Sequence, residues 1–224
     1  QAYVFRDVTE QERALQLREF LLANVSHEFK TPLAALRAAV ELLLSDLPTF
    51  SQRELKALAA AIWQGTLRLE ELVDNLLGSA SLQAGHFAVH PRATDLETVI
   101  EEALLASRPL LTLKGQHLRV EAPSPLAPVQ ADPRRLHQVL INLISNASKY
   151  GPAGGSIRLQ VEPRAAEVRV LLTDQGPGLA REVQGQLFQP FARPHEAPQG
   201  GIGLGLSIVR AIVERHGGRV GVES

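Results

Sequence analysis

Apolar residues recur at spacings of three and four through two long stretches of the chain. The first stretch runs from Leu22 to Leu47 and the second from Leu55 to Leu76. This spacing places the apolar side chains on one face of a helix, so each stretch predicts a long amphipathic helix that packs against other helices. The segment Leu47-Pro48-Thr49-Phe50 separates the two stretches. We therefore expect an antiparallel helical hairpin.

The second helix has a recognisable start, because Ser51-Gln52-Arg53-Glu54 has the pattern of a capping box. Each helix of the hairpin has more apolar surface than one partner helix can cover. Pairing two hairpins into a dimeric four-helix bundle is the natural way to bury that surface. The sequence therefore predicts a homodimer that is held through the hairpin.

The helical pattern fails between Ser81 and Thr94, where Gly85 and Pro91 mark a domain boundary. Beyond it, helical and strand patterns mix, which predicts an α+β sandwich with helices on one face of a mixed sheet. We expect helices over 95–113, from Asp132 to about residue 150, and at the end of the chain up to residue 216. Strands are expected at 117–121, 127–131, 156–162 and 167–174, and from residue 219 onward.

Composition excludes several classes of protein. The 224 residues carry a formal net charge of −1, so overall charge gives no support to a nucleic-acid role. The sequence has no cysteine, which excludes disulfide scaffolds, thiolate metal sites and cysteine nucleophiles. No apolar stretch approaches the ~20 residues of a membrane-spanning helix. We expect a soluble, cytoplasmic fragment, with any membrane tether in regions that precede it.

The first predicted helix carries the stretch Ser-His-Glu-Phe-Lys-Thr-Pro-Leu at residues 26–33. Val25 and Phe29 belong to the apolar seam, so His27, halfway between them, is expected to face solvent. Glu28 places a carboxylate beside the imidazole that can orient it or take its proton. Pro32 cannot donate the helical hydrogen bond to the Glu28 carbonyl, so we expect a bend beside the histidine.

These neighbours favour a reactive histidine over one without a role. A neutral imidazole, with a pKa of about 6.5, is a usable nucleophile near neutral pH. The alternative is the zinc-protease motif His-Glu-x-x-His, which needs a second histidine where this sequence has Thr31. That alternative fails.

The helix that begins at Asp132 carries Asn142, Asn146 and Lys149 on one face. A neutral amide oxygen suits Mg²⁺, which takes most of its charge neutralisation from phosphates, and a lysine suits the phosphates themselves. Ordinary exposed polar positions would look the same, and on this segment alone the two interpretations are equally supported. Glycine-rich turns occur at 176–178 and 200–205, and the second, which opens the last helix, lets backbone amides approach phosphate oxygens. Such a turn alone is weak evidence, since most are merely turns. Neither turn is a P-loop or a dinucleotide fingerprint.

Five motifs occur in one order along the chain. They are Ser-His-Glu-Phe-Lys-Thr-Pro-Leu at 26–33, Asn-x₃-Asn-x₂-Lys-Tyr at 142–150, Asp-x-Gly-x-Gly at 174–178, Phe-Gln-Pro-Phe at 188–191 and Gly-x-Gly-Leu-Gly-Leu at 201–206. Their order and spacing resemble the H, N, G1, F and G2 boxes of bacterial sensor histidine kinases, and the resemblance covers residues 15–224. It implies three regions: the end of a PAS domain and a linker at 1–13, a dimerisation and histidine phosphotransfer domain at 14–83, and an ATP-binding domain similar to the Bergerat fold at 91–224.

The resemblance also implies roles for individual residues. His27 would be the phospho-acceptor, Glu28 its proton-handling neighbour, and Thr31 the residue that positions water in dephosphorylation of a partner. Asn146 resembles the Mg²⁺ ligand, and Asn142 a helper that orients water or metal. The remaining positions resemble the ATP site of the family. Lys149 and Tyr150 would contact phosphates and ribose, Asp174 with Gly176 and Gly178 would contact adenine, and Arg193 would reach the γ-phosphate. A mobile lid would have Phe188 and Phe191 at one end and Gly201, Gly203, Gly205 and Leu206 at the other.

The resemblance implies ATP and Mg²⁺ as cofactors and a response-regulator receiver domain as the partner that accepts the phosphoryl group. A kinase and a phosphatase acting on that regulator both remain open, because one site can do both. A non-catalytic scaffold is disfavoured by the complete set of motifs. An ATPase of the chaperone or gyrase type has no reason to carry the hairpin with His27. The stretch from Ala192 to Gln199 is short and contains Pro194 and Pro198, so we expect a stiffer lid than most members of the family have.

Overall fold

A computed structural model of the chain describes residues 9–46, 50–192 and 202–224. The helices within these ranges are α1 (Thr9–Asp46), α2 (Gln52–Gln83), α3 (Leu96–Leu113), α4 (Pro133–Tyr150), α5 (Arg181–Gln184) and α6 (Gly205–Arg215). The strands are β1 (Arg92–Thr94), β2 (His117–Glu121), β3 (Val129–Ala131), β4 (Ser156–Pro163) and β5 (Val168–Thr173). The chain divides into two compact units, and the division falls inside α2, between Leu72 and Val73. No helix of the described ranges is both long and apolar enough to cross a bilayer.

The first unit contains the predicted helical hairpin except for the last turns of α2. Helix α1 continues through Pro32, and α2 begins at the predicted capping box. The Ser51 N–H donates to Glu54 Oε2 at 2.8 Å, and the Glu54 N–H donates to Ser51 Oγ at 3.3 Å. The Ser51 hydroxyl also donates to Glu54 Oε2 at 2.6 Å, and the donated bonds from the Ser51 hydroxyl and N–H hold the pKa of Glu54 below its ordinary value. The two helices come close where α2 carries Gly65, since a Cβ there would lie 2.6 Å from Leu36 Cγ.

The second unit is built on a three-stranded sheet in the order β2-β4-β5. Strand β2 is parallel to β4, while β4 and β5 form the antiparallel hairpin that the alternating pattern predicted. A second, two-stranded sheet pairs β1 with β3. The core lies between α3, α4 and the β4 face, and its most buried members are Ala103, Ile144, Ile157 and Leu159. The expected α+β sandwich with a mixed sheet is confirmed.

Helix α4 starts where the sequence placed its cap. Asp132 Oδ1 accepts from the N–H groups of Arg134 at 3.1 Å and Arg135 at 3.3 Å, and Oδ2 accepts from the His90 N–H at 3.0 Å. Burial of this carboxyl opposes its ionisation, but the three backbone donors outweigh burial and hold the pKa of Asp132 below its ordinary value. The cap therefore also ties the segment before β1 to the start of α4.

The prediction of a strand beginning at Arg219 is wrong. Residues 219–224 have no strand assignment. This segment meets its neighbours through side chains: Arg219 Nη2 lies 3.4 Å from Glu167 Oε1, and Glu223 Oε1 lies 3.7 Å from Arg169 Nη2. A strand requires a ladder of backbone hydrogen bonds, and side-chain ion pairs do not supply one.

Strand β1 and helix α5 were not predicted, because three or four residues are too few to show a periodic pattern. Residues 4–10 resemble the end of a PAS domain, and of these, residues 4–8 lie outside the described residues. The last two, Thr9 and Glu10, are the first residues of α1.

Candidate functional site

His27 lies on α1 with its side chain exposed, as the helical seam predicted. Its neighbours Val25 and Phe29 are half-buried. The Thr31 hydroxyl, one turn later, donates to the His27 carbonyl oxygen at 3.3 Å. The imidazole is therefore open to a reaction partner from solvent, and the helix around it is held by local contacts.

Glu28 forms an ion pair with the second helix of the hairpin. Its Oε2 lies 3.1 Å from Arg68 Nη2, and the side chains are only 14% and 26% exposed, respectively. The sequence placed a carboxylate beside the imidazole but did not single out Arg68. The spacing of 40 residues carries no local signal for this contact.

Helix α4 supplies the asparagine face of the second unit. Asn142 is buried, and its Nδ2 donates to the Gln138 carbonyl at 3.1 Å. Its Oδ1 lies 2.6 Å from where a Cβ at Gly205 would be, so the start of α6 can approach α4 this closely only with glycine there. Asn146, one turn further along, is half-buried. The structure thus brings Asn142 and Gly205 together, while Asn146 lies one turn beyond that contact.

The end of α4 carries Lys149 and Tyr150, and the Lys149 ammonium lies 5.0 Å from the centroid of the Tyr150 ring. Two residues that the sequence did not single out hold this helix end. Lys114 Nζ donates to the carbonyls of Ser148 at 2.6 Å and Lys149 at 3.0 Å. Gln116 Nε2 donates to Ser148, Gly151 and Pro152 carbonyls, and its Oε1 accepts from the Ser148 hydroxyl at 2.6 Å. These contacts satisfy carbonyls that a helix end leaves unpaired, so they fix Lys149 and Tyr150 in place.

The turn after β5 lies against that helix end. The Gly176 N–H donates to Asp174 Oδ1 at 2.7 Å, and a Cβ on Gly176 would lie 3.3 Å from the Tyr150 carbonyl oxygen. Gly178 has φ +78°, in the region that favours glycine. Asp174 is exposed. The structure therefore brings together Asp174, Gly176 and Tyr150, which the resemblance assigned to one nucleotide pocket.

The two ends of the predicted lid meet through a backbone hydrogen bond. The Phe191 N–H donates to the Gly203 carbonyl at 2.8 Å. Phe191 has φ +65° and Gly203 has φ +76°. A positive φ in a phenylalanine is uncommon and marks a backbone that its surroundings hold in place. Phe188 and Leu206 are half-buried. Arg193, Gly201, Pro194 and Pro198 lie outside the described residues.

We expect Gly203→Ala to lower the stability of the second unit. A Cβ at this position would lie 2.9 Å from both the Ala192 carbonyl oxygen and the Phe191 carbonyl carbon. It would also force alanine into a left-handed backbone, which costs about 1–2 kcal/mol by itself. The matched control is Gly154→Ala, which has φ +72° but open space around the new Cβ. Thermal unfolding without nucleotide should show a larger loss for Gly203→Ala, and equal losses would contradict the close approach.

The last turns of α2 belong to the second unit and pack on α6. A Cβ at Gly78 would lie 3.2 Å from Ile208 Cδ1. Asn75 is 7% exposed, and its Oδ1 is a buried oxygen with no hydrogen-bond partner among the described residues. Its Nδ2 lies 3.9 Å from the position of a Cβ at Gly205. The sequence pattern assigned this segment to the hairpin. It did not predict the contact with α6, because no local pattern indicates that contact.

The described residues hold no cluster of three or more histidine, cysteine or acidic side chains that could bind a metal alone. A half-buried amide such as that of Asn146 fits Mg²⁺ in a different way, because this ion keeps several waters and takes further oxygen ligands from phosphates. The Asn146 amide is therefore chemically suited to a magnesium ion that arrives with a nucleotide.

Comparison with known proteins matches two families. Residues 17–85 match the His Kinase A (phospho-acceptor) domain, and residues 131–224 match the histidine kinase-, DNA gyrase B- and HSP90-like ATPase. The sensor protein KdpD of Escherichia coli (strain K12) is 35% identical over 206 residues, which are 92% of this chain but 23% of that protein. The chain thus spans about a quarter of the length of this relative.

Two solved structures are also similar. Full-length ShkA in complex with AMPPNP is 29% identical with a TM-score of 0.62, and the match covers 91% of this chain and 42% of that one. The catalytic domain of the histidine kinase ThkA is 31% identical with a TM-score of 0.51, and the match covers 56% of this chain and 80% of that one.

Proposed function

The chain belongs to the sensor histidine kinases, and we propose that it binds ATP on its second unit and transfers the γ-phosphoryl group to His27 of the first. One observation carries this proposal. An exposed histidine lies on a hairpin helix, while in a separate unit the turn after Asp174 lies against Tyr150 at the end of α4, the helix that also carries Asn142 and Asn146. The proposed reaction needs both parts, since His27 lies on the first unit and Asp174, Tyr150 and Asn146 lie on the second.

The reaction at His27 is a phosphoryl transfer. An imidazole nitrogen forms a bond to the γ-phosphorus, the bond between that phosphorus and the bridging oxygen of the β-phosphate breaks, and ADP leaves. The other ring nitrogen then releases its proton. Glu28, the residue that follows His27 in the sequence, supplies a carboxylate to take it. The protein's contribution to such a transfer is mainly positioning and charge stabilisation.

On the second unit, each residue group has one task. Asp174 accepts a hydrogen bond from the adenine amino group, and Gly176 lets the base lie against the backbone. Lys149 and Tyr150 contact phosphate and ribose. Asn146 would ligate Mg²⁺ carried by the nucleotide, and that ion would offset the charge of the phosphates. Arg193 and the lid glycines complete the phosphate contacts.

A response-regulator receiver domain is the proposed second partner, and its aspartate takes the phosphoryl group from His27. Phosphatase activity toward that regulator is a further part of the proposal. The observation that favours it is the Thr31 hydroxyl, which lies exposed one turn after His27 and donates to its carbonyl. A hydroxyl at this place can hold a water molecule near a phosphorylated carboxylate.

Phosphohistidine has a distinctive chemistry, which provides the test of this function. The protein should be incubated with γ-labelled ATP and Mg²⁺, and the labelled protein then treated with acid and with base. Label that is lost in acid and retained in base supports a histidine kinase. Label that survives acid would point to a hydroxyl acceptor and would overturn the proposal.

A homodimer through the hairpin is also proposed. Leu33, Val40 and Leu44 share one face of α1 and are 50%, 42% and 78% exposed. Leu42, on the opposite face, is 47% exposed. We expect a solution mass near twice the 24.3 kDa of one chain at micromolar concentration.

Substitutions on the two faces of α1 should affect the dimer differently. Val40→Glu should weaken the dimer by about tenfold or more, because an unpaired carboxylate would be buried in an apolar interface. Leu42→Glu is the matched control and should leave the mass unchanged. Equal effects of the two substitutions, measured by sedimentation over a range of concentrations, would contradict the assignment of the face.

A further inference from the structure

An arginine on α2 reaches across the hairpin to the residue that follows His27. Arg68 Nη2 lies 3.1 Å from Glu28 Oε2, and the two residues are 40 positions apart. The side chains are 26% and 14% exposed. This ion pair therefore joins the two helices of the hairpin at the level of the proposed acceptor, in a partly buried place where water screens it less than on the open surface.

Arg68 is itself held in a fixed orientation. Its Nη1 lies 3.2 Å from Glu71 Oε2, and Glu71 is 24% exposed. The planar guanidinium thus donates one arm to each of two carboxylates, and its fork geometry restricts where both can lie. Each of the other ion pairs among the described residues includes a side chain that is more exposed than those of Glu28, Arg68 and Glu71.

The chemistry at His27 makes this contact consequential. A carboxylate that takes a proton during phosphoryl transfer has to be ionised and has to lie in one orientation. A nearby positive charge favours the ionised form of a carboxyl group, and a hydrogen bond fixes its rotamer. Glu28 is ionised near neutral pH by itself, but a side chain with three rotatable bonds has no fixed orientation without a partner.

We propose that Arg68 is a positioning residue for phosphorylation of His27, acting from α2 by holding the Glu28 carboxylate in one orientation. This inference rests on the proposed function, because it needs His27 to be the acceptor. It adds that the second helix of the hairpin takes part in the chemistry, although His27 and Glu28 both lie on the first.

The test compares initial rates of His27 labelling in three single variants over a range of ATP concentrations. Arg68→Gln should lower kcat by about tenfold, a part of the ~100-fold or more that a positioned acid or base contributes. The KM for ATP should stay within about twofold, because the nucleotide residues lie in the other unit. Arg68→Lys should recover part of the rate, since it keeps the charge but loses the fork. Glu71→Gln is the control, which removes the other arm only, and should change kcat by less than about threefold.

A double variant separates positioning from loss of structure. In a Glu28→Gln background, Arg68→Gln should cause no further loss of kcat, because the arginine then has no carboxylate to position. A full loss in that background would show that Arg68 acts through stability or another group, and would overturn the proposal. A rate that rises in Arg68→Gln would overturn it too, since Arg68 would then withhold Glu28 from the reaction.

Failure of the proposed function gives a different result. If the unmodified protein takes up no label, or if His27→Ala is labelled like the unmodified protein, the acceptor is not His27, and the comparison of Arg68 variants does not start. If His27 is labelled and Arg68→Gln reacts at the unmodified rate, only the positioning role is wrong.

Discussion

Replacing His27 with alanine is expected to abolish the incorporation of label from γ-labelled ATP while leaving the affinity for ATP nearly unchanged. The substitution removes the nitrogen that forms the bond to phosphorus, so the loss should be on the order of 100-fold or more, down to the background. His27 is exposed on α1, and alanine is a good helix former, so the hairpin should keep its stability within about 0.5 kcal/mol. Asn146 and Asp174, which are proposed to bind the nucleotide, lie in the other unit.

The measurement pairs a labelling assay with a nucleotide titration of the same protein. His86→Ala is the control, because His86 is also exposed but lies beyond the end of α2. It should be labelled like the unmodified protein. Label retained on His27→Ala would move the acceptor to another residue. A large loss of ATP affinity in that variant would show that the imidazole contacts the nucleotide in its bound state.

The second large effect concerns the nucleotide site, where two substitutions should fail in different ways. Asn146→Ala removes the amide oxygen proposed as a Mg²⁺ ligand, so it should lose the benefit that Mg²⁺ gives to ATP binding. Binding of adenosine, which has no phosphates, should be unchanged. Ser145→Ala is a suitable control, since this half-buried neighbour lies on a different face of α4.

Asp174→Asn should instead weaken ATP, ADP and adenosine alike, with or without Mg²⁺. An asparagine can still accept the Gly176 N–H through its Oδ1, which keeps the turn intact. Its Nδ2 then meets the adenine amino group with a donor facing a donor. An unpaired buried polar contact costs ~1–3 kcal/mol, so affinity should fall by about one to two orders of magnitude.

Titration of each variant with ATP, ADP and adenosine, with and without Mg²⁺, decides between these outcomes. If Asp174→Asn binds adenosine as well as the unmodified protein does, the adenine pocket is elsewhere. If Asn146→Ala retains the full effect of Mg²⁺ on ATP binding, another group ligates the ion.

The sequence predicted those features that repeat or that depend on neighbouring residues. The long helices follow from a period that extends over many turns, and the starts of α2 and α4 follow from the local chemistry of Ser51 and Asp132. The exposure of His27 followed from its place between two seam positions. In each case the physical cause lies within a few residues of the effect.

The features that the sequence missed depend on residues far apart in the chain. Arg68 pairs with Glu28 across 40 positions, and Gln116 holds the end of α4 from 32 positions away. Glutamine and arginine at such places look like any exposed polar residues until the fold brings them to their partners. The wrong strand at Arg219 has the same origin, since a strand is a property of two segments and one sequence window shows only one of them.

The contact between Gly78 and Ile208 has a consequence for exchanging parts between related kinases. The loop at 84–91 is the obvious place to join the first region of one parent to the second of another, because glycine and proline mark it. A junction there would take Asn75 and Gly78 from one parent and Gly205 and Ile208 from the other, and a larger residue in place of Gly78 would meet Ile208 at 3.2 Å. A junction between Leu72 and Val73 lets both sides of the contact be inherited together. In this protein the recombination point that preserves packing lies in the middle of a helix.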